Sequence, residues 1–191
     1  MRRRTGDTCQ FTVSQNICVQ IPLTFSATAS AEEDGIICGV PDIGPCTGTG
    51  GCTLSIGAFR DNPLTNELIE GAGGSIVLGV DDDGLSFTVT TANANDVLNF
   101  NTPSPPAPEN PPLAQQYQVL YAQLLAANLN VLNLQSQGVE ICPFAIQAIN
   151  AANNFLATSP PGGTTGAPAF QEDLARFNSG NAPGCPLHCV E

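Results

Sequence analysis

The N-terminal part of the chain alternates apolar and polar residues with a period of two. Across residues 9–30 the odd-numbered positions are almost all apolar, whereas the even-numbered ones are mostly Gln, Thr, Ser or Asn. This period is typical of a β-strand with one buried face. Fully extended, the run would span about 70 Å at roughly 3.3 Å per residue, far more than one ordinary strand. We therefore expect it to bend or to continue outside its own domain.

The alternating run allows two interpretations. In the first, it forms two successive strands of one sandwich, joined near Asn16 or Pro22, because a proline cannot donate a hydrogen bond to a central ladder. In the second, residues 9–14 are an arm that adds to the sheet edge of a neighbouring subunit. The side chains of Phe11 and Val13 would then be buried only in the assembly.

Short strand patterns separated by turns continue to about residue 100. The clearest is a hairpin around the acidic turn at residues 81–84. Strands are predicted at residues 53–59, 75–80, 85–91 and 97–100. Six or more short strands at intervals of roughly ten residues predict an antiparallel, jelly-roll-like β-sandwich over residues 15–100, after an arm at residues 1–14.

The apolar period changes after a proline-rich segment. Residues 101–112 contain six prolines and predict a stiff linker. Beyond it, apolar residues recur every three or four positions, which predicts an amphipathic helix from Leu113 to near Gly138. A second helix is predicted from Pro143 and a short third one at residues 169–178. We therefore predict an α+β protein whose residues 113–191 form a helical hairpin module with a cysteine-containing tail.

The charge of the chain argues against several classes of partner. It carries 17 acidic residues against five arginines, a net charge of −12. Nucleic acid and anionic membrane surfaces need clustered cations, so we expect neither as a partner, and no stretch is long and apolar enough to span a membrane. Between Leu113 and Gln171 only Glu140 is charged. The helix faces are therefore either an amide-rich solvated surface or a contact with other subunits.

Eight cysteines in a chain of this length predict disulfides formed in an oxidising compartment. Cys9 is the candidate for an intermolecular bond. The candidates for intramolecular bonds are Cys18, Cys38, Cys46, Cys52, Cys142, Cys185 and Cys189. We expect Cys142 to bond to Cys185 or Cys189, because these are the cysteines of its own module, and the bond would close a loop of roughly 45 residues.

Few residues could support catalysis or metal binding. His188 is the single histidine, lysine is missing, and no nucleophile elbow or phosphate-binding loop is present. The tail at residues 185–189 could hold zinc together with Cys142, but a disulfide is favoured because the second ligand pair of zinc sites is missing. Asp81, Asp82 and Asp83 could bind calcium, although an acidic turn in water explains them equally. We predict no enzymatic activity, no cofactor and no resident metal.

The start of the chain shows no signal peptide, because no apolar core follows the basic residues 2–4. Either a leader has been removed, or the protein is made inside a cell and oxidised after release. Both routes agree with a location outside the cell or on a spore or cell surface.

The leaderless, cysteine-rich N-terminal half resembles the endospore appendage subunits and related spore-surface proteins of Gram-positive spore formers. The resemblance rests on Cys9 ahead of Phe11-Thr-Val13 and on residues 17–23. It implies jelly-roll subunits that polymerise into fibres, with a cysteine-bearing arm crosslinking neighbours. The chain departs from that pattern in having one arm cysteine instead of an adjacent pair, and in its helical module.

We therefore expect a structural, self-assembling subunit of an extracellular or spore-surface fibre or layer, joined to copies of itself by strand addition and disulfides. The alternative is a secreted binding module whose loops at residues 39–52 and 61–74 recognise carbohydrate or a protein. Carbohydrate platforms usually expose aromatic side chains, whereas this chain has no Trp and two Tyr, both on the first long helix.

Overall fold

The computed structural model describes residues 51–81, 83–102 and 108–189, together with the backbone of two short strands, β1 (Val13–Gln15) and β2 (Val19–Ile21). These strands form an antiparallel pair in which Val13 lies opposite Ile21. The N-terminal run thus contains strands, as its alternation predicts. Several residues with predicted roles lie outside the described residues. They are Cys9 and Phe11 of the arm, and Cys18, Cys38 and Cys46, for which disulfides are predicted.

One compact unit covers Thr49–Glu191. Its elements in chain order are α1 (Ile56–Phe59), α2 (Pro63–Gly71), β3 (Ser75–Leu78), β4 (Phe87–Thr90), α3 (Ala94–Leu98), α4 (Pro111–Ser136), α5 (Pro143–Thr158) and α6 (Ala167–Asn178). The longest, α4, has 26 residues and contacts α1, α2, α3, β3, α5 and α6. The unit is therefore organised around one central helix.

The central position of α4 follows from its sequence. Pro111 stands in its first turn, where the missing N–H leaves no hydrogen bond unmade, and Gly138 follows its end with φ +74°. Buried side chains occur on several sides of the helix, including Tyr117, Leu125 and Leu134. A helix that is apolar on most sides is stable in water only when other elements cover it.

The predicted β-sandwich over residues 15–100 is wrong, and so is the jelly-roll description. In the described part of that span the structure has three helices, α1, α2 and α3, besides the two hairpin-like strand pairs. Helices are therefore not confined to the C-terminal part of the chain. The unit covering Thr49–Glu191 is mostly helical, with one two-stranded sheet, β3–β4.

The errors have local physical reasons. Residues 61–74 contain the N-terminal signals of a helix. The Asn62 side chain is the N-cap and accepts a hydrogen bond from the Leu64 N–H (3.0 Å), and Pro63 occupies the first turn. Leu64 and Leu68 then recur at helical spacing. The helices α1 and α3 have only four and five residues, too few to distinguish a helical period from a strand period.

The hairpin predicted around residues 81–84 is present. β3 and β4 pair antiparallel, with Ile76 opposite Val89. Two backbone N–H groups attach the hairpin to α5: the Gly79 N–H donates to the Asn153 side chain at Oδ1 (2.8 Å), and the Leu85 N–H donates to the Leu156 carbonyl (2.9 Å). The hairpin is thus held along the same helices that form the core.

The three helices predicted after residue 113 are present as α4, α5 and α6. α4 and α5 contact each other, and α6 packs against both. Part of the predicted linker also belongs to the core: Thr102 and Pro108 are buried, and α4 begins at Pro111. Elements from both sides of residues 101–112 therefore pack on α4.

Candidate functional site

The C-terminal tail runs beside the segment at residues 52–54 like a short strand. Thr53 and His188 form an isolated parallel β-bridge. The Thr53 N–H donates to the Leu187 carbonyl (2.9 Å), and the Cys189 N–H donates to the Thr53 carbonyl (2.9 Å). This pairing and the two disulfides beside it are called the tail clasp, which comprises residues 52–54, 185–189 and Cys142.

Two disulfides bond the tail to different parts of the unit. Cys189 is bonded to Cys52, with the Cα atoms 4.9 Å apart, and Cys185 is bonded to Cys142, with a Cα separation of 5.1 Å. The second bond is one of the two pairings expected for Cys142. The first joins the tail to a segment that the sequence analysis placed in a different module. Disulfide sulfurs are not thiolates, so these four residues do not offer the cysteine ligands of a zinc site.

Glycines allow the tail clasp to lie close to the helices. Gly180 follows the end of α6 with φ +67°, and a Cβ there would lie 2.0 Å from the backbone N of His188. A Cβ on Gly51 would lie 2.7 Å from Leu134 Cδ2. A side chain is therefore excluded at Gly180, where the backbone of the tail lies in the way, whereas at Gly51 the neighbouring side chains would have to shift.

Asn130 holds the segment at residues 52–54 from the side of α4. This residue is fully buried, and its Oδ1 accepts from the Leu54 N–H (2.7 Å) while its Nδ2 donates to the Leu54 carbonyl (2.9 Å). The amide thus pairs with Leu54 as an additional strand would. Nδ2 also donates to Asn178 Oδ1 (3.1 Å), and Asn178 donates to the Gln123 carbonyl (3.0 Å).

Sequence reasoning missed Asn130 and Asn178. The available signal was an Asn between apolar residues of α4, at a position that the helical period places in the core. A buried amide needs partners for its donors and its acceptor, so a core Asn predicts a buried hydrogen-bond network. The identity of the partner, a backbone segment 76 residues away, has no local signal.

A surface cavity of about 470 Å³ lies beside the tail clasp. Its polar lining includes Ser55, Gln123, Glu172, Arg176, Asn178 and His188. The Arg176 guanidinium lies 5.3 Å from the centre of the Phe144 ring and 3.8 Å from Asp173 Oδ1. The Nδ1 atom of His188 lies 2.5 Å from the Cys189 carbonyl oxygen. The cation and the imidazole in this cavity thus both have partners that hold them in the fold.

A second surface cavity, of about 550 Å³, lies at the start of α5 beside the Cys142–Cys185 disulfide. Its lining is largely uncharged, with Glu140 as the one charged member. Ile146 lines this cavity and is 49% exposed. The region therefore presents apolar surface to solvent at one end of α5.

Tyr121 anchors the β3–β4 hairpin and has a perturbed pKa. Its hydroxyl donates to the Leu85 carbonyl (2.7 Å). Burial and, to a smaller extent, the neighbouring Tyr117 raise the pKa of Tyr121 above its ordinary value. The phenol therefore stays protonated and acts as a hydrogen-bond donor at neutral pH.

The structure brings together no metal site in the residues it describes: no group of three His, Cys, Asp or Glu side chains is close enough to hold an ion. Asp81 and Asp83 lie at the exposed hairpin tip, whereas Asp82 is outside the described residues. Among the described helices, none combines the length and the apolarity needed to cross a membrane.

The chain matches no family model, no curated protein and no solved structure. The resemblance to spore appendage subunits stays a prediction, because Cys9 and Phe11, which carry it, lie outside the described residues. The fold and the tail clasp define a helical unit whose tail is bonded at Cys185 and Cys189 to Cys142 and Cys52.

Proposed function

We propose that the protein is a structural subunit that assembles with copies of itself in an extracellular or spore-surface fibre or layer. The tail clasp is the observation that supports an extracellular or surface location. Its disulfides join residues separated by 137 and 43 positions. On the chain-entropy treatment they stabilise the fold by about 5 and about 4 kcal/mol. Such bonds form and persist in oxidising surroundings outside the cell.

The distribution of charge supports self-association. A chain with a net charge of −12 repels its own copies least where they meet at an uncharged surface. The region from α5 to the start of α6 provides such a surface, because residues 143–171 contain no charged side chain. Interface cores are depleted of charge for the same reason.

A structural role also agrees with the polar residues near the clasp. Asn130 and Asn178 are engaged in hydrogen bonds that hold elements together, and Arg176 and His188 have structural partners. We therefore propose that the protein is not an enzyme. The alternative of a binding module has less support, because residues 63–71 form α2 instead of a loop and both tyrosines are fully buried.

The proposal is tested on the purified full-length protein under oxidising conditions. Sedimentation velocity and negative-stain microscopy should show oligomers or fibres at about 100 µM, a concentration at which weak specific interfaces are populated. Non-reducing peptide mapping should find Cys52 joined to Cys189 and Cys142 joined to Cys185. Monodisperse monomers at this concentration would contradict self-assembly.

A further inference from the structure

The segment at residues 52–54 is fixed to the core by contacts that do not involve the tail. Thr53 is fully buried, and so is Asn130 of α4. The Asn130 amide holds Leu54 by two hydrogen bonds, one from the Leu54 N–H (2.7 Å) and one to the Leu54 carbonyl (2.9 Å). The segment should therefore keep its place when the tail is detached from it.

The end of the tail, at residues 186–189, buries little apolar surface. Leu187 is 50% exposed. The segment pairs with Thr53 through two backbone hydrogen bonds, one to the Leu187 carbonyl (2.9 Å) and one from the Cys189 N–H (2.9 Å). Hydrogen bonds at the surface are readily exchanged for bonds to water. The Cys52–Cys189 disulfide is therefore the interaction that keeps this segment paired.

The two disulfides of the tail clasp have different surroundings. Cys142 borders the cavity at the start of α5, yet it is 5% exposed and belongs to the apolar core. Its partner Cys185 is half-buried and packs against that core. Cys52 and Cys189 are both half-buried. Thiol–disulfide exchange requires a thiolate to reach a sulfur atom, so the Cys52–Cys189 bond is the more accessible of the two.

The two bonds also differ in what their cleavage would release. Cys185 lies between the buried Ala182 and the bonded Cys189, so a reduced Cys185 stays beside Cys142 and can bond to it again. A reduced Cys189 can leave Cys52. Its distance from Cys185, four positions earlier, limits this movement to about 14 Å at roughly 3.5 Å per residue.

We infer that the Cys52–Cys189 disulfide is a redox-sensitive latch, and that the Cys142–Cys185 disulfide is the tether that allows the latch to close again. A dithiol opens the latch by two exchange steps: its first thiolate forms a mixed disulfide with one cysteine, and its second displaces that cysteine. The dithiol becomes a cyclic disulfide, and the two cysteines become thiols. Opening exposes the N–H and carbonyl of Thr53, an edge to which another strand can add.

The order of reduction tests the latch in the full-length oxidised protein. The protein is treated with dithiothreitol without denaturant, quenched with iodoacetamide and mapped by mass spectrometry. Cys52 and Cys189 should be alkylated at least about tenfold faster than Cys142, in molecules that retain the Cys142–Cys185 bond. Earlier loss of the Cys142–Cys185 bond, or simultaneous loss of both bonds, would overturn the latch.

Reoxidation tests the tether. When dithiothreitol is removed before alkylation and oxidised glutathione is added, the Cys52–Cys189 bond should form again, because the tether keeps the two thiols close together. Peptide maps in which Cys52 is joined mainly to another cysteine would refute the role of the tether.

Hydrogen exchange tests whether reduction opens the tail. After selective reduction and alkylation, exchange at the Thr53 amide should be about tenfold faster. The Leu54 amide should keep its rate, because it donates to Asn130. Unchanged exchange at Thr53 would overturn the opening, and so would an equal acceleration at Leu54.

The double variant Cys52→Ser with Cys189→Ser is the control, because its latch is permanently open. Its Thr53 amide should exchange fast and should not respond to dithiothreitol while the Cys142–Cys185 bond remains. A response would show that another bond controls the tail and would refute the latch. If circular dichroism shows this variant to be unfolded, the alkylated wild-type protein supplies the open state instead. The inference goes beyond the proposed function: monomeric wild-type protein would contradict self-assembly and leave these tests unaffected.

Discussion

Two segments without helix lie on the helical core, and they are attached by different means. The β3–β4 hairpin has no cysteine and buries four apolar side chains: Ile76, Leu78, Leu85 and Val89. The tail at residues 181–189 buries Ala182, leaves Leu187 50% exposed, and has two disulfides. The tail, which buries little apolar surface, is thus the segment that covalent bonds attach.

The two means of attachment have similar magnitudes. Full burial of a Val, Leu or Ile side chain contributes about 1.5–3 kcal/mol, so four of them contribute roughly 6–12 kcal/mol to holding the hairpin. The two disulfides together contribute about 9 kcal/mol on the chain-entropy treatment. The disulfides restrict the unfolded chain, and they can therefore offset the small apolar burial of a tail that remains largely open to solvent.

The largest effect is expected from removing the longer disulfide. The double variant Cys52→Ser with Cys189→Ser should lower the free energy of unfolding by about 5 kcal/mol, because the unfolded chain regains the freedom that a 137-residue separation had lost. Guanidinium unfolding measures this. Hydrogen exchange should speed up more at the Thr53 amide than at the Leu85 amide. A loss below about 1 kcal/mol would mean that packing, not the bond, holds the tail.

A core substitution in the hairpin should have the next largest effect. Leu78→Ala removes a fully buried side chain and should cost about 3.5 kcal/mol of unfolding free energy. Val80→Ala is the control, because Val80 is 45% exposed and its loss should cost less than about 0.5 kcal/mol. Equal effects in chemical denaturation would show that burial does not hold the hairpin.

A backbone substitution tests the close passage of the tail. Gly180→Ala combines a positive φ with a Cβ that would meet His188, and should cost about 3 kcal/mol. Gly138→Ala is the matched control: its φ is +74°, but no atom lies within 4 Å of the added Cβ. It should cost about 1 kcal/mol. If thermal melts show the same shift for both variants, the tail is not packed on Gly180.

The smallest effect concerns the hydrogen bond of the hairpin. Tyr121→Phe leaves the buried Leu85 carbonyl without this donor and should cost about 1.5 kcal/mol of unfolding free energy. Urea titration at neutral pH measures the loss. No change in stability would indicate that the hydroxyl contributes nothing to the attachment of the hairpin.

The same tyrosine predicts a pH dependence. Burial raises the pKa of Tyr121, so the folded state favours the protonated phenol. This contribution is complete below the unfolded pKa of about 10 and is lost as pH rises above it towards the folded value. Stability measured between neutral pH and about pH 11 should fall less steeply in Tyr121→Phe than in the wild type. Parallel curves would refute this assignment.

The elements with long, regular patterns could be predicted. The apolar spacing after Leu113 contains the information for α4, α5 and α6, and the acidic turn at residues 81–84 between alternating runs contains that for β3–β4. The short helices α1 and α3 could not be told from strands. α2 was predictable from the Asn62 cap, but the glycines at its end favoured a loop interpretation.

The tail clasp was predictable only in part. The partner of Cys142 could be narrowed to Cys185 or Cys189, because few cysteines share its part of the chain. The pairing of Cys52 with Cys189 had no such signal, since eight cysteines allow 105 connectivities. The Asn130 network depends equally on which distant segment approaches α4.

Local composition and spacing sufficed for the excess of acidic over basic residues, the presence of disulfides and the regular helices, because each depends on residue types or on residues close together in the chain. Long-range packing selected a helical unit over a β-sandwich and chose the bonding partners of the tail. The physical reason is that α4 is buried on most of its sides. A helix that is apolar on most sides must be covered, and the segments before residue 100 could cover it as helices.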